Sequence, residues 1–286
     1  MSFWLIQTLN SLALGGVLFT LAAGFSLIFG LMRIANLSHG AYFMLGAYVG
    51  LSVITNGHGF FTAMLAAGVS VALLGGIVER FILRRLAGNP LSQVLATLGV
   101  AFVIADFSLW FWGGDPRPVS GPDFLSGSVR MFGLVFPLYR LSMLVISIVI
   151  GIGLWLLLDK TRLGMMIRAS VDDMQMARGI GIPSSKLFTI VFCLGAALAG
   201  VGGVLAAPIL SVYPGMDADM LPLALVVVIL GGLGSLLGAF IGSFVIGLIY
   251  TFGQVLFPDL AYIILFLPMV VILAIRPRGL FGRISA

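Results

Sequence analysis

Hydrophobic runs separated by short polar breaks dominate this chain. Apolar stretches lie at roughly 5–32, 37–56, 60–83, 92–113, 139–158, 187–208, 220–252 and 259–275. Crossing the hydrocarbon of a bilayer takes about 20 apolar residues. The runs lack strand-like alternation, and lipid cannot satisfy open backbone groups, so they predict membrane helices. The 220–252 run is too long for one ordinary crossing and is interrupted by GGLGS at 231–235. It predicts either a hairpin of two shorter helices or one broken helix, for eight or nine membrane segments in all.

Composition sharpens this. Of 286 residues, 60% are hydrophobic and 9% charged, mean hydropathy is +1.20, and there are 38 glycines. Soluble domains carry about 25% charged residues. The class is an all-α polytopic integral membrane protein, a single membrane domain over 1–286. The opening MSFWLIQTLN lacks a basic leader region, so its first helix is expected to stay in the membrane. The lone Cys193 rules out an intramolecular disulfide and marks no compartment.

The net charge of +5 works best as a map of sides. Arg80, Arg84 and Arg85 follow the third run; Lys160, Arg162, Arg168, Arg178 and Lys186 fall in the 159–186 loop; Arg276, Arg278 and Arg283 follow the last run. The positive-inside rule puts these regions, and the C-terminus, in the cytoplasm. The Gly- and Pro-containing loop 114–138 reads as external. Outside short loops there is no clustered basic surface, so nucleic acid is not an expected partner.

The 161–186 loop, TRLGMMIRASVDDMQMARGIGIPSSK, reads as holding a short capped helix. Ser170 is the expected N-cap, Asp172 and Asp173 suit the first turn, Arg178 the last, and Gly179 a left-handed end. Two turns are not stable alone in water. Either the loop rests on headgroups or something docks on it.

Within RLGMMIRASVDDMQMARGIGIPSSKLFTIVFCLGAALAGVGGVL the pattern resembles permease subunits of Liv-type branched-chain amino acid ABC importers, the hydrophobic amino acid uptake family. The likeness recurs at GLMRIANLSHGAYFMLGAYVG (30–50), VILGGLGSLLGAFIGSFVIGL (228–248) and RPRGLFGR (276–283). It implies an ABC importer permease fold, with the 159–186 loop engaging an ATPase through Asp172, Asp173, Ala177, Gly179, Gly181 and Ile182. It further implies a second homologous permease, two ATPase subunits, an external solute-binding protein and a bacterial inner membrane. Leucine, isoleucine and valine are the implied cargo; other amino acids, amides or urea stay open. ATP and Mg would be used by the partners, with no cofactor bound by this chain. Its only lysines, Lys160 and Lys186, sit in no phosphate-binding loop, and its two histidines form no metal or nucleophile pattern. The chain is not expected to be an enzyme.

Several polar groups lie within the apolar runs. Asn36 and Ser38 suit N-caps at the start of the second run, and Gly40 suits a close backbone approach. His39 is neither a cap nor an apolar packer; Asn36, His39 and Gly40 match the family's Asn-x-x-His-Gly pattern, implying a place on the pathway or permease interface. Asp106 reads as the only acidic residue well within a run, either on the pathway or else in a structural hydrogen bond or at the outer interface. Gly231, Gly232 and Gly234 form either a tight turn or a break lining the pathway. Glu79 reads as an interfacial charge, and Trp110 and Trp112 as interfacial anchors. The spacing of Gly234, Gly238 and Gly242, and of Gly195, Ala199, Gly203 and Ala207, predicts small-residue packing stripes. An ion-coupled secondary transporter using Asp106 or His39 is the rival class; it calls for an inverted repeat, and none is evident. A purely structural membrane scaffold would have no use for the capped loop helix.

Overall fold

The computed structural model describes residues 2–131, 134–276 and 279–282. Its helices are Ser2–Met32 (α1), His39–Thr55 (α2), Phe60–Phe81 (α3), Pro90–Trp112 (α4), Leu138–Lys160 (α5), Arg162–Asp172 (α6), Met174–Gly179 (α7), Ser184–Leu210 (α8), Met216–Gly231 (α9), Leu236–Leu256 (α10) and Ala261–Ile275 (α11). Among the described residues, six helices are long and apolar enough to cross a membrane: α1, α3 with its 3₁₀ extension, α4, α5, α8 and α10. The helices α2, α9 and α11 are shorter, at 17, 16 and 15 residues. The 220–252 run is a helical hairpin, α9 and α10, rather than one broken helix. Pro277, Arg278 and Arg283, parts of the C-terminal basic block, lie outside the described residues.

Small residues explain how the bundle closes. Helix α8 is central, packed on α1, α2 and α3. It reaches all three because different small residues face each one. A Cβ on Gly195 would lie 2.7 Å from the Gly24 carbonyl oxygen of α1, and one on Gly200 2.9 Å from that of Ala67 of α3. One on Gly203 would collide with the Phe43 backbone of α2. Gly195, Ala199, Gly203 and Ala207 are thus all buried, but they serve more than one neighbour. By contrast α4 and α5 are peripheral: Phe102, Val103, Trp110, Val145 and Ile152 project outward, more than half exposed.

One end of the bundle gathers the basic groups of the α3 terminus and of the 159–186 loop, where Arg84 Nη2 donates to the Ser185 carbonyl at 2.8 Å. The opposite end carries the antiparallel hairpin of Ser128–Met131 (β1) and Leu134–Pro137 (β2), with Val129 opposite Phe136. There Arg117 and Val212 exchange both backbone hydrogen bonds, at 2.8 and 2.9 Å.

Candidate functional site

Two helices begin deep inside the bundle rather than at its ends. After α1 the chain turns at Arg33, which adopts a left-handed φ of +53°, and runs back alongside α1 without helix. Leu37 N–H donates to Thr97 Oγ1 of α4 at 3.1 Å, holding this segment. Asn36 Oδ1 accepts from Ser38 N–H at 3.1 Å and from the Ser38 hydroxyl at 2.6 Å. Ser38 occupies the N-cap position of α2 but makes no side-chain cap bond. The expected double cap is therefore a local Asn36 turn, because the serine hydroxyl is spent as a donor.

His39 opens α2. It is 0% exposed, its Nε2 lies 3.0 Å from the Leu21 carbonyl oxygen, and its ring meets Phe25 edge-on at 5.4 Å. Bonding to a carbonyl requires the proton on Nε2, and the buried Nδ1 has no partner. Leu21 stands about 16 Å along α1 from its end at the helical rise. The start of α2 is accordingly near mid-height, with His39 enclosed against α1.

At the same level α9 begins. A Cβ on Gly40 would lie 2.7 Å from the Asp217 carbonyl oxygen and 2.8 Å from Leu221 Cβ, so the first turns of α2 and α9 touch through a bare glycine. The first turn of α9 carries Asp217 and Asp219, and Tyr213 Oη donates to Asp219 Oδ2 at 2.6 Å. These carboxylates correct the view of Asp106 as the only acidic residue at depth. They were missed because the apolar run begins only at residue 220, after the turn that carries them. Asp106 itself is exposed on α4, whose buried face is Gln93, Thr97, Ala101, Ile104 and Ser108.

The GGLGS segment lies elsewhere, at the basic end. Gly232 and Gly234 have φ of +104° and +79°, the conformation that favours glycine. Ser235 Oγ then caps α10 by accepting from Gly238 N–H at 3.0 Å. A Cβ on Gly234 would lie 2.8 Å from Gly30 Cα, and Gly231 meets the Gly238 backbone directly. Gly234 belongs to this turn and not to a stripe on α10. Leu280 and Phe281 N–H donate to the Leu230 and Gly231 carbonyls at 2.9 and 3.0 Å, tying the C-terminal segment to the turn.

The 159–186 loop holds two helices where one was expected. Ser170 is buried inside α6, and its hydroxyl has no partner. The cap is Asp173, whose Oδ1 accepts from Gln175 and Met176 N–H at 2.8 and 2.9 Å. Gly181, at φ +89°, and not Gly179, takes the left-handed position. Ala177 is buried and Ile182 packs on the cluster of Leu27, Leu31, Ile167, Leu187 and Val191. Asp172, Asp173, Gly179 and Gly181 are exposed. Beside them Met176 and Ile180 are 65% and 70% exposed, an apolar pair on a polar element that sequence reasoning passed over. Arg33 Nη2 reaches the Val171 carbonyl at 3.4 Å, and Arg33, Ser170, Asp172, Asp173 and Gln175 line a cavity of about 310 Å³. The re-entering segment and the loop thus share one residue.

Glu79 is not an interfacial charge. It is 1% exposed; its carboxylate pairs with Arg84 at 3.0 Å and accepts from the Thr189 hydroxyl at 2.7 Å. Buried charges survive when paired in this way. Nor is Trp112 a free anchor: its Nε1 donates to Ser52 Oγ at 2.7 Å and its ring stacks on Tyr48 at 5.0 Å. Trp110, 79% exposed, does project outward. Among the described residues no group of three or more His, Cys, Asp or Glu could hold a metal.

Comparison with known proteins adds the family. Residues 7–273 match the family described as branched-chain amino acid transport system / permease component. The high-affinity branched-chain amino acid transport system permease protein BraD of Pseudomonas aeruginosa is 28% identical over 295 residues, covering 98% of this chain and 96% of that protein. The LivH permeases of the same description from Salmonella typhimurium and Escherichia coli K12 are 25% and 24% identical over 300 residues, with 98% and 96% covered.

Proposed function

This chain belongs to the permease components of branched-chain amino acid transport systems, and from that premise we propose that it imports leucine, isoleucine and valine. It is a multi-pass membrane subunit of an ABC importer, in which ATP hydrolysis falls to separate subunits. In our reading residues 1–286 form one membrane domain in the bacterial inner membrane, with the basic end and the C-terminus in the cytoplasm. The complete importer pairs it with a second homologous permease, two ATPase subunits using ATP and Mg, and an external solute-binding protein.

The observation that carries the mechanism is the contact of Arg33 with Val171. ATP-driven closure of the ATPases pushes on α6 and α7, where Asp172, Asp173, Gly179 and Gly181 meet the partner together with Met176 and Ile180. Ala177 and Ile182 fasten the element to the membrane bundle. Movement passes through Arg33 into the 34–38 segment and so to Asn36, His39 and Gly40 at the junction of α2 and α9. The Gly231, Gly232 and Gly234 turn is the rigid stop beside α1, and Asp106 on α4 lies on the surface offered to a second permease. Alternating access follows if this junction changes its packing while α8 holds the centre.

Copurification and uptake test the reading together. With Met176→Asp and Ile180→Asp combined, or with Asp172→Arg, the ATPase subunits should copurify less and ATP-driven uptake of labelled leucine should fall about tenfold or more, the loss expected when an apolar interface anchor is replaced by charge. Unchanged copurification and uptake in both variants would sink the coupling assignment. Uptake that excess isoleucine and valine fail to suppress would sink the cargo.

A further inference from the structure

A second cavity opens at the basic end, and Arg33 lines it as well as the one it shares with Asp172 and Asp173. It measures about 400 Å³, within the range of small-molecule sites. The turn after α1, the link between α3 and α4, Arg178 of α7 and the start of α8 form its wall. Three guanidiniums line it, those of Arg33, Arg84 and Arg178, against one carboxylate, Glu79. Glu79 is spent on Arg84 at 3.0 Å. Among the described residues no carboxylate pairs with Arg33 or Arg178. Arg84 and Arg178 are held to adjacent residues of α8. Arg84 Nη2 donates to the Ser185 carbonyl at 2.8 Å, and Arg178 Nε donates to the Ser184 hydroxyl at 2.9 Å. Pro90 and Ser184, the first residues of α4 and α8, also line the cavity, so the positive ends of two long helix dipoles add to the guanidiniums.

The remaining wall is apolar, with Met32, Ile34 and Phe188 partly buried in it. An exposed apolar row leads to it along α3. Leu65, Val69, Leu73, Ile77 and Phe81 are each more than half exposed, and their spacing of four sets them one above another on one helix face. The row ends at Phe81, three residues before Arg84. Guanidinium forks suit phosphate oxygens, and basic pockets between membrane helices take anionic head groups. A water-soluble anion would gain nothing from the α3 row, whereas an acyl chain would lie along it. We propose that this cavity binds an anionic phospholipid, its phosphate bridging Arg33 and Arg178 and one acyl chain lying on the α3 row. The bound lipid ties the turn after α1 to α7. The site rests on the membrane class alone, so the cargo and the ATPase assignment can each fail without it.

The test uses the complete permease–ATPase complex, stripped of lipid in detergent, and counts retained lipid by native mass spectrometry. Dioleoylphosphatidylglycerol should bind about tenfold tighter than dioleoylphosphatidylcholine, whose choline cancels the charge of its phosphate. Glycerol 1-phosphate, a phosphate ester without acyl chains, should not displace it even in excess. Arg33→Gln with Arg178→Gln should weaken phosphatidylglycerol about thirtyfold, the usual worth of two basic residues beside an anionic lipid. Arg33→Lys with Arg178→Lys keeps both charges and should retain most of the binding. Arg80→Gln with Arg85→Gln removes two exposed charges from the same end but outside the cavity, and should leave binding unchanged. Bound phosphatidylglycerol should also slow hydrogen exchange over 174–179 in the wild type. If the glutamine pair does not assemble, the wild-type comparison of the three ligands and the exchange measurement still decide. Equal retention of the two lipids, displacement by glycerol 1-phosphate, equal losses in the cavity and control variants, or unchanged exchange over 174–179 would each overturn the proposal.

Discussion

Replacing Glu79 by Gln removes one buried charge while keeping the side chain's size. The wild-type carboxylate is 2% exposed and receives Arg84 Nη2 at 3.0 Å, Arg84 Nε at 3.3 Å and the Thr189 hydroxyl at 2.7 Å. Breaking a fully buried pair costs about 3–5 kcal/mol, whereas an exposed one is worth about 0–1 kcal/mol. Arg84 is 35% exposed and keeps its bond to the Ser185 carbonyl, so water and backbone recover part of the loss. The expected cost is about 2 kcal/mol, within the range for hydrogen bonds to charged groups. A double-mutant cycle with Arg84→Met, read as apparent unfolding free energy in an SDS titration, isolates the pair. A coupling energy of about 1 kcal/mol or more is expected. Additivity within about 0.3 kcal/mol would show that the buried clamp contributes nothing to stability.

Two further changes probe the loop and the core. Asp173→Ala should cost about 1 kcal/mol of local helix stability, seen as faster hydrogen exchange over 174–179, while Asp173→Ser should retain most of it; identical exchange in all three proteins would remove Asp173 as the cap. Gly203→Val forces a Cβ into the Phe43 backbone, whereas a Cβ on Gly99 meets nothing within 4 Å. Overpacking of about 1–3 kcal/mol or more should lower the folded yield of Gly203→Val in detergent and spare Gly99→Ala; equal yields would refute the packing assigned to α8.

The membrane class, the interruption of the 220–252 run at 231–235 and the gathering of basic groups were legible in the chain because they depend on local composition. Whether the interruption makes a hairpin stayed open until the packing of α9 against α10 decided it. A run of apolar residues must leave water wherever it lies, and glycines at GGLGS permit positive φ at Gly232 and Gly234 without help from neighbours. The capped loop was readable in outline, yet its cap moved from Ser170 to Asp173. Both residues suit the role, and only burial of Ser170 in α6 decides between them. What tertiary structure alone settled is where polar groups meet. Glu79 finds Thr189 across 110 positions, and His39 finds Leu21 on a helix already completed. Gly40 meets Asp217 because two helices start at the same depth. Hydropathy reports whether a residue enters the membrane; the depth at which a helix begins is set by the backbone pairing and close packing of segments far apart in the chain.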